Sequence, residues 1–238
     1  MSHANAREWV CRTLLSNKEP RGAAAGVQFR GLADKELLWK PGKELRIGFL
    51  EGSKKLQDRV FETLLRWTSP NEGGANLELK RAVNAETADI RISFDESGGS
   101  WSMIGTDARD VSAGEATMNL GWATETTAEN DFASVVLHEF GHALGLLHEH
   151  NHPDAKIDWD KAAVYADLGG SPNNWDKKTI DDNVFAKFED GKVIKTGFDN
   201  VSVMIYTVPP NWTTNGASFM PSWKLSQGDA ETIRKLYG

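Results

Sequence analysis

Five of the six histidines in this 238-residue chain fall in one stretch, HEFGHALGLLHEHNH, which runs from residue 138 to residue 152. His138 and His142 are four residues apart on a predicted helix, so their imidazoles project from one face, one turn apart. Two imidazoles placed in this way can occupy two corners of a tetrahedral zinc site. Glu139 follows the first histidine, and we expect its carboxylate to lie beside the metal and hold a water rather than bind the ion.

A third metal ligand cannot come from the same straight helix without leaving that face. Gly145 resolves this, because glycine tolerates a positive φ and lets the helix end in a sharp turn. His148, three residues further on, can then return to the metal. The complete pattern, H-E-x-x-H-x-x-G-x-x-H, has too many fixed positions to be an accident or a tag. His150 and His152 fit no ligand position, and we predict that they are solvated or hydrogen-bonded bystanders.

The overall composition excludes several classes of partner. With 39% hydrophobic and 26% charged residues, the chain resembles an ordinary globular protein. A formal net charge of −7 argues against a nucleic-acid partner, which usually requires a basic surface. No apolar run approaches the roughly 18 residues that span a membrane, and the first residues lack the apolar stretch of a signal peptide. Cys11 is the one cysteine, so no intrachain disulfide can form. We expect a monomer.

The periodicity of apolar residues predicts an α+β layout. Short strands are expected at residues 44–50, 76–83, 88–94, 98–105 and 116–122. One long helix is predicted over residues 54–67 and another over about 128–147, the latter started by an Asn130 or Asp131 cap. Residues 150–225 are rich in Asp, Asn, Gly and Pro, and a last helix closes the chain. This order predicts a cleft between a regular lobe and an irregular lobe.

The extended histidine motif resembles that of the metzincin superfamily of zinc endopeptidases. Glu149 directly follows His148, and a glutamate at this position resembles the motif of the astacin family in particular. Further along, SVMIY at residues 202–206 is similar to the Met-turn of astacins. The resemblance implies that Met204 forms an apolar floor under one catalytic zinc ion. It also implies that Tyr206 approaches the metal as a displaceable fifth ligand.

The same resemblance implies a fold and a domain arrangement. Residues 39–238 would form a single metzincin catalytic domain with a twisted, mostly parallel five-stranded sheet, two long helices and an irregular C-terminal subdomain. The N-terminal subdomain would cover residues 39–148 and the C-terminal subdomain residues 149–238, with the zinc cleft between them. Substrate would bind along an edge strand that resembles the family's cleft-lining strand, at Ser100, Trp101, Ser102, Met103, Ile104 and Gly105.

Some features depart from the family pattern. Animal astacins generally carry disulfides, Ser100 stands where a cysteine is common, and Ile205 replaces the usual histidine of the Met-turn. These departures indicate a microbial branch. Residues 1–38 form an N-terminal extension of pro-segment type, but Leu32 occupies the place of the aspartate that caps the zinc in astacins. Cys11 is an alternative cap, although its apolar surroundings favour a buried, inert thiol. The resemblance implies secretion, because members of the family are usually secreted. The first residues do not look like a signal peptide, so the location stays open.

These observations predict a zinc-dependent endopeptidase that acts on protein or peptide substrates, with Glu139 as the general base and Tyr206 assisting. Two alternatives from other classes stay open. One is a catalytically idle zinc-binding module that uses exposed tryptophans (Trp101, Trp122 and Trp212) to bind carbohydrate or peptide. The other is a zinc hydrolase of a non-peptide amide or ester. Structural zinc sites normally have four protein ligands, which disfavours the idle module.

Overall fold

A computed structural model of the chain describes residues 35–171, 173–187 and 196–238. Its centre is one five-stranded sheet in the order β2-β1-β3-β5-β4. The strands are Glu44–Phe49 (β1), Glu78–Arg81 (β2), Ile90–Ser93 (β3), Ser100–Ser102 (β4) and Met118–Leu120 (β5). Strands β1, β2, β3 and β5 pair in parallel, whereas β4 runs antiparallel to β5 and lies at an edge of the sheet. The mostly parallel five-stranded sheet and the α+β class are therefore confirmed.

Two helices pack against the sheet, as predicted. Helix α1 is Lys54–Leu64, and the hydroxyl of Ser53 caps it by accepting from the backbone N–H of Leu56. Helix α2 is Glu129–Ala143, and almost every residue from Phe132 onward is buried. The predicted Asn130 or Asp131 cap was wrong. The chain enters α2 at Ala128 without a side-chain cap, and acidic groups in the first turn complement the helix dipole instead.

The C-terminal half contains short helices between irregular segments. Helix α3 is Lys161–Leu168, and helix α4 is Lys177–Ile180, which continues into a π-helical turn over Asp181–Phe185. The last helix, α5, is Gln227–Tyr237, and Ser226 and Asp229 form a reciprocal capping box at its start. Among the described residues, no helical stretch has both the length and the hydropathy that a membrane span requires.

Two apolar clusters account for most of the core. The larger joins the sheet to α1, α2 and α5, and it also takes in Met204. The smaller lies wholly within the C-terminal half and includes Tyr206 and Trp212. Tyr206 and Met204 are two residues apart but belong to different clusters, so the segment between them connects the two halves of the core. The histidine motif lies at this junction.

Candidate metal centre

The three histidines of the motif converge on one point. The Nε2 atom of His148 lies 3.2 Å from that of His138 and 3.1 Å from that of His142. Two nitrogens bound to one zinc at tetrahedral angles and about 2.0–2.1 Å lie about 3.3 Å apart, close to these separations. His138, His142 and His148 form a group whose ligand atoms all lie within 4.8 Å of one another, and no other His, Cys, Asp or Glu of the described residues joins it. This donor set fits a zinc ion with one position left for a non-protein ligand.

Backbone carbonyls fix the orientation of two of these rings. The Nδ1 atom of His138 lies 2.7 Å from the carbonyl oxygen of Val203, and that of His142 lies 2.8 Å from the carbonyl oxygen of Leu146. A carbonyl only accepts, so each Nδ1 carries the proton and donates it. The Nε2 atom of each ring is therefore unprotonated, which is the tautomer that metal binding requires, and the two lone pairs point toward a common position.

Burial keeps these imidazoles neutral. It lowers the pKa of His138 to about 4 and that of His142 to about 3, and it holds the pKa of His148 well below its usual value. The exposed fraction of the three residues is 6%, 0% and 3% in chain order. Neutral imidazoles are metal ligands, and without a cation the converging lone pairs would repel one another.

Gly145 turns the chain where the helix has to end. Its φ is +92°, in the region that glycine adopts without strain, and its N–H donates to the carbonyl of His142. A Cβ atom at this position would lie 2.8 Å from a methyl carbon of Leu38. Helix α2 thus stops at Ala143, a few residues earlier than predicted, and the turn carries His148 back toward the other two rings.

The segment 202–206 packs against the part of α2 that carries the first two candidate ligands. Val203 supplies the carbonyl that orients His138, and the carbonyl of Met204 accepts the N–H of Glu149 at 2.9 Å. The Met204 side chain packs directly on Gly141, where an added Cβ atom would overlap the sulfur. Gly141 was not singled out from the sequence, because the neighbour that requires a glycine there is 63 residues away.

Two buried carboxyl groups hold the N-terminal side of this support. Both carboxylate oxygens of Asp229, at the start of α5, accept hydrogen bonds from the segment, one from the Ser202 hydroxyl and one from the Val203 N–H. Glu149 accepts the N–H of Asp199 at 2.8 Å. Burial raises the pKa of Glu149 to about 8, and it also raises the pKa of Asp229. These contacts tie the segment to α5 and to the motif.

Glu139 and Tyr206 are both buried at the site. Glu139 lies on α2 between the first two histidine ligands and is 1% exposed. Tyr206 is 2% exposed, and its ring centre lies 4.9 Å from that of His148 and 4.6 Å from that of His150. The tyrosine ring therefore contacts one of the three candidate zinc ligands directly.

The predicted substrate-binding residues follow the sheet edge into the site. Ser100, Ser102, Met103, Ile104 and Gly105 are buried, and Trp101 is partly buried. This burial counts backbone and side chain together, so five of the six positions are covered and Trp101 is the one that is partly open. Ile104 packs with Leu147, the residue before His148, so the end of this strand lies next to the histidine turn.

Of the two expectations for His150 and His152, solvated or hydrogen-bonded, the structure shows the second. His150 and His152 are both fully buried, so neither is solvated. Their Nε2 atoms lie 2.9 Å from the carbonyl oxygen of Asn183 and 3.0 Å from that of Thr196, respectively. The ammonium group of Lys187 donates to the carbonyls of His150, His152 and Ala155. The residues after the motif thus bind remote segments of the irregular half, and the only sequence signal is a polar run directly behind the last ligand.

The structure contradicts part of the exposed-tryptophan hypothesis, whereas the residues of the capped-zinc hypothesis are not described. Trp212 is fully buried and its indole N–H donates to Asp167 at 2.8 Å, so it cannot belong to an exposed aromatic face. Trp101 and Trp122 pack partly against the main core. Cys11, Phe29, Gly31 and Leu32, on which the hypothesis of a capped zinc rests, lie outside the described residues.

Comparison with known proteins gives consistent matches. The family model of the astacin peptidases matches residues 77–238. A solved structure of myroilysin has 35% identity and a TM-score of 0.81, and it covers 87% of this chain and 98% of its own. A hatching enzyme zinc-protease from the medaka fish Oryzias latipes has 17% identity and a TM-score of 0.56, covering 85% of this chain and 95% of its own, and supports the fold alone.

A curated relative is similar over a shorter stretch. The zinc metalloproteinase nas-24 of Caenorhabditis elegans is 30% identical over 95 residues, which is 40% of this chain. The chain matches only 21% of the length of that relative.

Proposed function

The chain belongs to the astacin family of peptidases, and on that premise we propose that it is a zinc-dependent endopeptidase that cleaves extended protein segments. One observation carries the proposal: three neutral, buried imidazoles present their Nε2 atoms to a single point. When bound there, zinc supplies a Lewis acid that acidifies a water and polarises a carbonyl.

Glu139 is the general base of the proposed reaction. Its position on α2 between two ligands puts a carboxylate at the site without using it as a ligand. It takes a proton from the attacking water and later delivers it to the leaving amine. The low exposure of Glu139 keeps competing solvent away from that carboxylate.

Tyr206 assists at the oxyanion. Its ring packs on His148, which keeps the phenol close to the reacting carbonyl. A phenolic O–H that donates to the developing oxyanion is worth more there than in water, because the surroundings are buried. Tyr206 can also approach the metal before substrate arrives, as the resemblance to the family implies.

Substrate binds as an added strand along β4. This strand lies at the edge of the sheet, and its neighbour within the sheet is on one side only. An extended peptide can therefore hydrogen-bond to its outer backbone, a mode that reads the main chain rather than particular side chains. The packing of Ile104 on Leu147 directs such a peptide toward the histidines.

Digestion of casein with and without a zinc chelator tests the proposal against both alternatives. We expect cleavage that the chelator abolishes and that added zinc restores. A protein that binds zinc but cleaves nothing would be the idle module. Hydrolysis of small amides or esters without cleavage of casein would indicate the non-peptide hydrolase.

A further inference from the structure

One buried side chain hydrogen-bonds to both the end of β3 and the turn that leads into the edge strand. Asn119 lies on β5, is 1% exposed, and pairs with Trp101 of β4. Its carbonyl oxygen accepts the hydroxyl of Ser93 at 2.7 Å and the N–H of Asp95 at 2.9 Å. Its amide nitrogen donates to the carbonyls of Asp95 at 2.8 Å and Gly99 at 2.5 Å. These four contacts satisfy both the donor and the acceptor positions of the amide.

Three of the four contacts fall on the turn that joins β3 to β4, and the fourth, from Ser93, comes from the end of β3. This turn, residues 95–99, passes over the end of β5 to reach the sheet edge. Gly121 packs against it so closely that an added Cβ atom there would overlap the Gly99 carbonyl oxygen. Gly99 itself has a φ of +66°, and the same carbonyl also accepts the Gly121 N–H at 3.1 Å.

The Asn119 contacts lie directly before the edge strand in the chain. Ser100 begins the edge strand immediately after Gly99, so the Asn119 amide fixes where the strand starts. Strand β4 is only three residues long, and its pairing with β5 spans Ser100 to Ser102. So short a strand has few ladder hydrogen bonds of its own, and its position depends on what holds its ends.

We propose that Asn119 is a positioning residue for substrate: through the 95–99 turn it holds the edge strand at the place where an extended peptide adds to it. This inference rests on the proposed function, because it assigns the outer edge of β4 to substrate. It predicts that loss of the Asn119 contacts weakens binding of long peptides while the chemistry at the histidines continues. A residue that served only the stability of the fold would not separate these two effects.

The test is Asn119→Asp in the full-length, zinc-loaded protein. The carboxylate has nearly the shape of the amide but faces the carbonyls of Asp95 and Gly99 with oxygen instead of N–H, so it repels them. For a peptide long enough to cover the edge strand, we expect KM to rise about tenfold or more while kcat stays within about threefold. Ser93→Ala is the matched control, because it removes one donor and leaves both amide donations in place, and we expect it to change KM by less than about threefold.

Hydrogen exchange without substrate provides a second measurement. In Asn119→Asp, amides of residues 95–102 should exchange faster while those of α2 stay protected. If Asn119→Asp does not fold, Asn119→Ser, which is too short to make all four contacts, takes its place. An unchanged KM in a folded variant, or equal losses of kcat for long and short peptides, would overturn the inference, as would unchanged exchange at 95–102. Failure of the proposed function is distinct, because the wild-type protein itself would then not cleave peptides.

Discussion

The tautomers of His138 and His142 decide what the site can bind. Motif spacing is enough to bring their rings to one face, because four residues make about one helical turn. It says nothing of Val203 and Leu146, whose carbonyls hold the Nδ1 protons. Val203 lies 65 residues beyond His138 in the chain, and a contact of that separation leaves no local pattern. The three candidate ligands could be identified from the sequence, and the groups that orient two of them could not.

Tyr206→Phe tests the proposed role of the phenol. The substitution keeps the ring that packs on His148 and His150 and removes only the hydroxyl. We expect kcat to fall by about 10-fold to 100-fold with KM nearly unchanged, because the hydroxyl acts on the transition state. Steady-state kinetics on a fluorogenic peptide, with zinc content measured in parallel, provide the check. An unchanged kcat would remove Tyr206 from the mechanism.

Helices and strands were predicted best where a regular apolar pattern extends over many residues. Helix α1 and the positions of the five strands along the chain were predicted from the apolar pattern, and the observed strands are shorter than predicted. The cap of α2 was predicted too far along the chain, since the side chains expected to form it lie inside the first turn of the helix. The resemblance implied that Met204 lies beneath the metal, but nothing in the sequence indicated its close packing on Gly141 of α2.

Gly141→Ala tests the contact of α2 with Met204. Glycine to alanine inside a helix normally stabilises by about 0.5–1 kcal/mol. Here the new methyl would overlap the Met204 sulfur, so we expect a loss of about 1–3 kcal/mol and weaker zinc binding. Denaturant unfolding and zinc titration measure both. The double variant Gly141→Ala with Met204→Ala should recover zinc affinity, and a single variant as stable as the wild type would contradict the packing.

The irregular half is organised by polar contacts that begin directly after the third ligand. His150 and Asn151 bind the backbone of residues 183–186, and Glu149 and His152 bind that of residues 196–199. Lys187 in turn donates to the carbonyl of His150. Short helices and loops carry no strong periodicity, so their arrangement depends on these long-range bonds. For this reason the sequence predicted a lobe without regular structure but not its internal order.

Buried titratable groups give the metal-free protein two opposing pH dependences. The pKa values of His138, His142 and His150 are lowered to between about 3 and 4, against about 6.5 when unfolded, so stability falls as the pH drops from about 6.5 toward 4. Glu149 has the opposite sign. Its folded pKa of about 8 lies above its usual 4.5, so stability falls as the pH rises between these values.

Glu149→Gln separates the two contributions, because the amide oxygen can still accept the Asp199 N–H while the titration is removed. We expect the decline of unfolding free energy between about pH 6.5 and 8 to diminish, and the rise between about pH 4.5 and 6.5 to steepen. Urea unfolding in the presence of a chelator at these three pH values measures the change. A variant whose pH profile parallels that of the wild type would show that Glu149 is not buried in its neutral form.

The proposed catalysis requires a zinc ion held by three histidines beside a carboxylate that acts as a base and not as a ligand. The most direct measurement is the peptide-cleavage rate of zinc-loaded Glu139→Gln, with the metal counted in the same sample. We predict one zinc per chain, as in the wild type, and a rate lower by about 10²-fold to 10⁴-fold. A rate close to that of the wild type, or loss of the zinc itself, would contradict the assignment.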